Sequence, residues 1–343
     1  MRATPPYVPG EQPQPGRRVI KLNTNENPYP PSPRVLDAMR RGLADELRLY
    51  PDPEATALRQ RAALTYGVPA DAILVGNGSD ELLSLLVRAV VDPGQAVAYP
   101  VPTYSLYRTL VALQDARAVE VPYPADWSLP PGLAEAAAPL TFVCNPNAPS
   151  GTVVPIDEIA ALARRVRGVL VVDEAYVDFA TDNALRLLPE HPNLVVLRTL
   201  SKSFSLAGLR VGLAFGHPEL LDGLRTVKDS YNVSRLTQLG AEAALADLPA
   251  MQANVRRIVA TRAVLAAELE QLGFEVPPSE ANFVLARRPG RPMGAVARAL
   301  AERGILVRHF AVPGLDDALR ITVGTDDEVA ALLAALREVC RDA

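Results

Sequence analysis

The sequence predicts an α/β protein: a large domain with a mostly parallel sheet covered by helices, joined to a smaller α+β domain. Three observations predict it. Short, continuously apolar runs at residues 72–75, 95–99, 140–144, 169–172 and 194–197 alternate with Ala/Leu/Arg-rich helical stretches. Strands without polar alternation, linked by helices, belong to a sheet buried on both faces. Each polar motif begins where one of these runs stops, and the C-terminal strand ends of such a sheet are where ligands sit. After about residue 230 the pattern changes to long helical text with few strands, which suggests a second, smaller unit.

Composition sets the outer bounds. A chain of 343 residues is long enough for two domains with a sizeable core. At 49% hydrophobic and 22% charged it reads as an ordinary globular protein. A net charge of -4 and an isoelectric point near 5.6 argue against general affinity for nucleic acid or an anionic membrane. No apolar stretch reaches the ~18 residues a membrane helix needs. Residues 1–10 lack the apolar centre of a signal peptide. Two cysteines make no disulfide framework, so a cytoplasmic location is expected. His191, His217 and His309 show no metal spacing, and no metal site is expected.

In chain order, the first eighteen residues hold five prolines and read as an extended arm. The segment 1–32 is assigned to this arm and to part of the small domain, 33–232 to the large domain and 233–343 to the small C-terminal domain. The latter opens with a long helical region at 236–272. Strand-like segments follow at 281–285, 305–308 and 319–323, and a closing helix runs to residue 343.

The most informative segment is Arg-Thr-Leu-Ser-Lys-Ser-Phe-Ser-Leu-Ala-Gly-Leu-Arg at residues 198–210. Of 35 basic residues only Lys21, Lys202 and Lys228 are lysines. Arginine replaces lysine as a surface cation but not as a primary amine that loses its proton and condenses with a carbonyl. Thr199, Ser201 and Arg210 around Lys202 make a phosphate-binding set of two hydroxyls and a guanidinium. An imine-forming lysine beside a phosphate site points to pyridoxal phosphate. The plain alternative is a surface lysine in a polar turn.

Other motifs point the same way. Residues 73–86 read as strand, glycine turn and helix, and the Gly78, Ser79 and Asp80 amides at that helix start would hold a phosphate. The plain alternative is a helix capped by Ser or Asp. Asp173 stands just past a buried strand, where a carboxylate can keep a pyridinium nitrogen protonated. Tyr176 lies three residues on, within reach of a ring hydroxyl. The same Asp-Glu pair would suit a nucleotide hydrolase, but no lysine follows a glycine anywhere, so the required phosphate loop is missing. Tyr104 offers a flat face for a pyridine ring. Residues 145–151 form a turn cluster at a strand end. Arg320, on a small-domain strand, could clamp a carboxylate or phosphate.

Together these residues resemble the aspartate-aminotransferase-like (fold type I) pyridoxal-phosphate family, and within it the histidinol-phosphate aminotransferases. The likeness covers residues 21 to about 325, in order. It includes Lys-Leu-Asn-Thr-Asn-Glu-Asn-Pro-Tyr-Pro (21–30), Leu-Tyr-Pro-Asp-Pro (49–53), Gly-Asn-Gly-Ser-Asp-Glu (76–81), the Lys202 segment and Leu-Arg-Ile-Thr-Val-Gly-Thr (319–325). It implies a seven-stranded type of sheet and a homodimer. Lys202 becomes the cofactor-binding lysine, Asp173 the ring-nitrogen partner, Tyr176 the ring-oxygen partner and Tyr104 the stacking ring. Ser79, Thr199, Ser201 and Arg210 hold the phosphate, with Tyr50 reaching over from the other subunit. Arg320 grips the substrate's anionic end, and Arg308 and Asn27 are further substrate contacts. In one place the sequence departs from the family. The asparagine that usually precedes the second proline of the 145–151 turn is Ala148 here, so Asn147 is expected to take over the ring oxygen, the alternative being that Tyr176 bonds it alone.

The implied reaction moves an amino group from L-histidinol phosphate to 2-oxoglutarate, giving imidazole-acetol phosphate and glutamate, a step of histidine biosynthesis. Lys202 would act as general base between substrate and cofactor carbons. Rival readings are an aromatic amino-acid aminotransferase, a threonine-phosphate decarboxylase, and a ligand-sensing domain of a transcription regulator. The last would need a DNA-binding segment, which a short proline-rich arm on a net acidic chain does not supply.

Overall fold

The computed structural model describes residues 9–13, 16 and 19–340. Much of the proline-rich arm, and the last three residues of the expected closing helix, lie outside the described residues. The elements run β1 (Ile20–Leu22), α1 (Pro33–Gly42), α2 (Thr56–Tyr66), β2 (Ile73–Asn77), α3 (Ser79–Val90), β3 (Ala96–Val101), α4 (Leu106–Leu113) and β4 (Arg117–Pro122). Then come α5 (Gly132–Glu135), β5 (Leu140–Cys144), α6 (Ile156–Arg165), β6 (Val169–Asp173), β7 (Leu194–Thr199), β8 (Val211–Gly216) and α7 (Pro218–Val227). The rest is α8 (Arg235–Leu245), α9 (Leu248–Gln271), β9 (Phe283–Arg287), α10 (Gly294–Glu302), β10 (Ile305–His309), β11 (Ala318–Thr322) and α11 (Asp326–Val339).

The larger sheet has seven strands in the order β2-β8-β7-β6-β5-β3-β4. All its pairings are parallel except those of β8, which runs antiparallel to β2 and β7. The five apolar runs all become strands here, because a central strand covered on both faces has no solvent side to mark with polar residues. β5 is buried along its whole length. The two strands without such a run are explained by position. β4 is an edge strand with exposed ends, and β8 carries Gly212 and Gly216.

The smaller sheet has the order β1-β10-β11-β9, and β1 enters it parallel to β10. The N-terminal strand is therefore bound to residues almost three hundred positions away. The helical stretch expected at 236–272 is two helices, broken at Ala246 and Asp247, with a proline in the first turn of α9. Proline fits a helix start and not a helix interior. α8 packs on α1 and α2 in the core of the larger layer. α11 opens with a reciprocal capping box, in which the Thr325 hydroxyl accepts from the Glu328 amide and the Glu328 carboxylate accepts from the Thr325 amide.

Candidate active site

β7 ends at Thr199 and the chain turns through residues 200–210 before returning as β8. Two non-glycine residues in this turn, Ser205 and Arg210, take positive φ. Such backbone persists only where its surroundings dictate it. The Asn27 amide is one such constraint, donating to the Lys202 and Ser203 carbonyls at 3.0 and 3.1 Å. Its Oδ1 accepts from the Tyr29 amide. Asn27 thus braces the lysine turn.

Arg210 lies against Gly78. A Cβ added at Gly78, whose φ is +80, would meet the Arg210 Nη2 at 2.5 Å. A Cβ at Gly212 would collide with the Gly78 carbonyl carbon and meet the Ser79 amide nitrogen at 2.5 Å. Only glycine permits this approach of three chain segments. α3 starts at Ser79 with Gly78 as its N-cap and no side-chain cap, so neither Ser79 nor Asp80 caps it. A long helix start without a side-chain cap, beside a guanidinium, is an anion cradle. The Asp80 carboxylate accepts from Arg210 at 3.2 Å and from the Tyr104 hydroxyl at 3.1 Å. The Thr199 and Ser201 hydroxyls at the end of β7 lie 2.9 Å apart. Gly212→Ala is expected to push Gly78 and Ser79 out of place and weaken pyridoxal phosphate binding by at least about tenfold, ~1.4 kcal/mol. Fluorescence titration of the cofactor measures this, and unchanged affinity would remove the cradle from the site.

Asp173 ends β6 and is buried. The Tyr107 hydroxyl donates to it at 2.9 Å and the Ala175 amide at 3.3 Å. Burial pushes its carboxyl up to about 6, against the Tyr107 hydrogen bond, which lowers it. A buried carboxylate so placed is ready for a cationic partner. The next residue, Glu174, points elsewhere and is consumed by a buried ion pair with Arg198 at 2.9 Å. Tyr107 was not singled out from sequence. Its signal is the three-residue spacing from Tyr104, which lies just before α4, and its ring stacks on Phe142 at 4.7 Å.

Lys202 faces this carboxylate's side of the site. Its Nζ is 5.8 Å from the Tyr176 ring centroid and 3.5 Å from the Thr24 carbonyl oxygen. Burial, and then the nearby Arg320 charge, bring its ammonium down from 10.5 to about 8. At pH 7 about a tenth of the amine is therefore neutral, far above the fraction for an ordinary lysine. The rate at which cofactor-free protein captures pyridoxal phosphate is expected to rise with pH to a midpoint near 8. A midpoint near 10.5 would show an ordinary lysine.

Arg320 (β11) and Arg308 (β10) are directly opposed across the strand pair. Both guanidinium carbons lie over the Phe310 ring, at 5.5 and 5.3 Å. Arg320 donates to the Asn23 carbonyl at 3.1 Å, and Arg308 to the Pro9 carbonyl at 3.1 Å. The Tyr176 ring packs edge-on against Phe283, and Arg320 sits over the same Phe283. Two cations side by side favour a dianion.

Asn147 and Tyr50 are placed apart from this group. The Asn147 amide is buried, with its Oδ1 accepting from the Thr103 hydroxyl at 2.9 Å and its Nδ2 donating to the Pro102 carbonyl and the Ser150 hydroxyl. Its amide is hydrogen-bonded within the turn cluster. Tyr50 is 77% exposed, stacked on Tyr231 at 4.4 Å. Asn25, a second residue not singled out from sequence, donates from Nδ2 to the Tyr176 hydroxyl at 3.0 Å.

These residues fit pyridoxal phosphate. The glycine cradle with Arg210 and the uncapped start of α3 suits its phosphate, Asp173 suits a protonated ring nitrogen, and the partly neutral Lys202 amine suits its aldehyde. Among the described residues no group of three or more His, Cys, Asp or Glu could hold a metal ion, and no helix is long and apolar enough to cross a membrane.

Residues 17–336 match the family described as aminotransferase class I and II. Histidinol-phosphate aminotransferase 1 of Trichormus variabilis is 48% identical over 336 residues, covering 98% of this chain and 96% of that protein. The protein of the same name from Nostoc is 50% identical over 334 residues, covering 97% and 95%. Among solved structures, histidinol-phosphate aminotransferase from Sinorhizobium meliloti in complex with pyridoxal-5'-phosphate superposes with a TM-score of 0.89 at 32% identity, covering 95% of this chain and 92% of that one. The chain belongs to the class I and II aminotransferase family.

Proposed function

We propose that this protein is a pyridoxal-phosphate-dependent histidinol-phosphate aminotransferase. It moves the amino group of L-histidinol phosphate to 2-oxoglutarate, giving imidazole-acetol phosphate and L-glutamate in histidine biosynthesis. The observation that carries the reading is the joint placement of a partly neutral Lys202 amine, a buried Asp173 carboxylate and an anion cradle at Gly78, Ser79 and Arg210. The full-length relatives that bear this name support the substrate assignment.

When bound, the cofactor supplies a cationic ring that accepts the electron pair left when a substrate carbon loses its proton. The chain's own residues do the rest. Asp173 stays ionised against the ring nitrogen and is kept in place by the Tyr107 hydroxyl. Gly78, Ser79, Thr199, Ser201 and Arg210 hold the phosphate and so fix the ring's position. Tyr104 offers its ring face as a stacking surface. Lys202 would hold the cofactor at rest and, once released, would take the proton from the substrate carbon and deliver it to the cofactor carbon that had carried the aldehyde. Its lowered pKa suits both tasks at neutral pH.

The paired Arg308 and Arg320 favour the phosphate substrate over an aromatic amino acid, whose carboxylate carries one charge against the phosphate's two. Glutamate must use the same site, and a guanidinium fork accepts a carboxylate as well. Arg320→Ala is expected to lower kcat/KM for histidinol phosphate by about 10- to 100-fold, as loss of a charged hydrogen bond of roughly 1.5–3 kcal/mol implies. Steady-state kinetics with L-phenylalanine in parallel tests both points. A smaller effect on histidinol phosphate than on phenylalanine would favour the aromatic enzyme.

The reading extends to a homodimer, in which the exposed Tyr50 reaches the neighbouring subunit's phosphate, and to a cytoplasmic location. We place the domain boundary between α8 and α9, with β1 counted in the smaller domain. The direct test is the visible spectrum of the purified protein before and after histidinol phosphate. A yellow protein that bleaches supports the assignment, and one that takes up no pyridoxal phosphate would overturn it.

A further inference from the structure

We infer that Asn25 is a positioning residue for Tyr176: its amide donates to the phenol oxygen and so directs the phenol's own proton into the cofactor pocket. The inference rests on the cofactor reading above. Three observations carry it.

The first is the orientation of the Asn25 amide. The Thr322 hydroxyl accepts from the Asn25 backbone amide at 2.9 Å and donates to Asn25 Oδ1 at 3.1 Å. With Oδ1 turned to Thr322, Nδ2 is the atom that faces Tyr176, at 3.0 Å. The second is rigidity. Asn25 is 1% exposed with φ +56, and its carbonyl accepts from Asn282 Nδ2 at 3.0 Å. The residue is therefore held at its backbone amide and side-chain oxygen by Thr322 and at its carbonyl by Asn282. The third is the absence of a neighbouring substitute. Ala148 has no polar side chain, and Asn147 is committed to Thr103, Pro102 and Ser150.

A phenol whose oxygen already accepts a hydrogen bond becomes a stronger donor, and its proton cannot point at the group that donates to it. Burial, above all, keeps the Tyr176 hydroxyl protonated, so that one proton is available for a ring oxygen. Donation to that oxygen stabilises its anion and loosens its hold on the proton of the adjoining lysine nitrogen. Asn25 thereby sets the pH at which the lysine-bound cofactor loses that proton. The charged and titratable groups facing Tyr176 are Lys202, Arg320, Asp173 and Cys144, and all stay unchanged in the Asn25 and Thr322 variants used to test this.

The experiment is a spectrophotometric pH titration of protein loaded with pyridoxal phosphate. Asn25→Ala is expected to raise the midpoint of the colour change by roughly one pH unit. Thr322→Val, nearly isosteric and so able to fold if Asn25→Ala does not, frees the amide to turn and should shift the midpoint the same way by less. In a Tyr176→Phe background, whose own midpoint should be raised, neither change should add a further shift, because the effect runs through the phenol. A midpoint unmoved by both variants, or an equal shift in the Tyr176→Phe background, overturns the role of Asn25 and leaves the cofactor assignment standing. A parent protein that develops no visible band with pyridoxal phosphate overturns both.

Discussion

Lys202→Ala is expected to lower the single-turnover rate with histidinol phosphate by at least about 10⁴-fold, because it removes both the amine that captures the cofactor and the base that moves the substrate proton. Lys202→Arg should be equally inactive. It keeps a cation in the same turn, beside Asn27's contacts to the Lys202 and Ser203 carbonyls, but offers no amine that can be neutral near pH 8. Comparing the two variants separates the charge of this side chain from its chemistry. An arginine variant that retains more than about a hundredth of the rate would mean that Lys202 serves only as a phosphate counter-ion.

Asp173→Asn should cost about 10²- to 10³-fold in the proton-transfer step while leaving the fold intact. The variant has the same shape, and its side-chain oxygen can still accept from the Tyr107 hydroxyl, now at 2.9 Å from the carboxylate. What disappears is the negative charge that holds a ring nitrogen protonated. The charge is also the part that burial makes costly, since the carboxyl already stands at about 6 in the free pocket. The variant should therefore be at least as stable to heat as the parent. Thermal unfolding and the deuterium isotope effect at the substrate carbon, measured together, check both halves. A variant with normal rates would assign the ring nitrogen another partner.

Local chemistry made much of this protein legible in its sequence. The buried strands announced themselves because a strand covered on both faces is mostly apolar, as β5 shows with one threonine among its five buried residues. The edge strand β4 lacked that mark, and β8 carried it but is interrupted by Gly212 and Gly216. Lys202, Asp173, Arg210 and the Gly78 turn were readable because each is a residue type with few substitutes at a strand end or helix start. The break between α8 and α9 was not read, although a proline at residue 249 signals a helix start.

Other features required the folded chain. The partners of Asp173 and Tyr176 come from Tyr107, sixty-six positions away, and from Asn25, one hundred and fifty-one positions away, and no local pattern pairs them. Asn27 and Asn147 looked like ligand contacts by motif, yet their hydrogen bonds run to the lysine turn and the proline-rich turn cluster. An amide side chain reads the same in sequence whether it faces a ligand or a carbonyl, and only packing decides which. The opposition of Arg308 and Arg320 likewise depends on strand register. The sequence by itself determined the residue types, the strand-and-helix order and the chemistry of the lysine turn, because these follow from local pattern and from what each side chain can do. The tertiary structure alone decided which donor faces which acceptor, because that depends on contacts between segments distant in the chain.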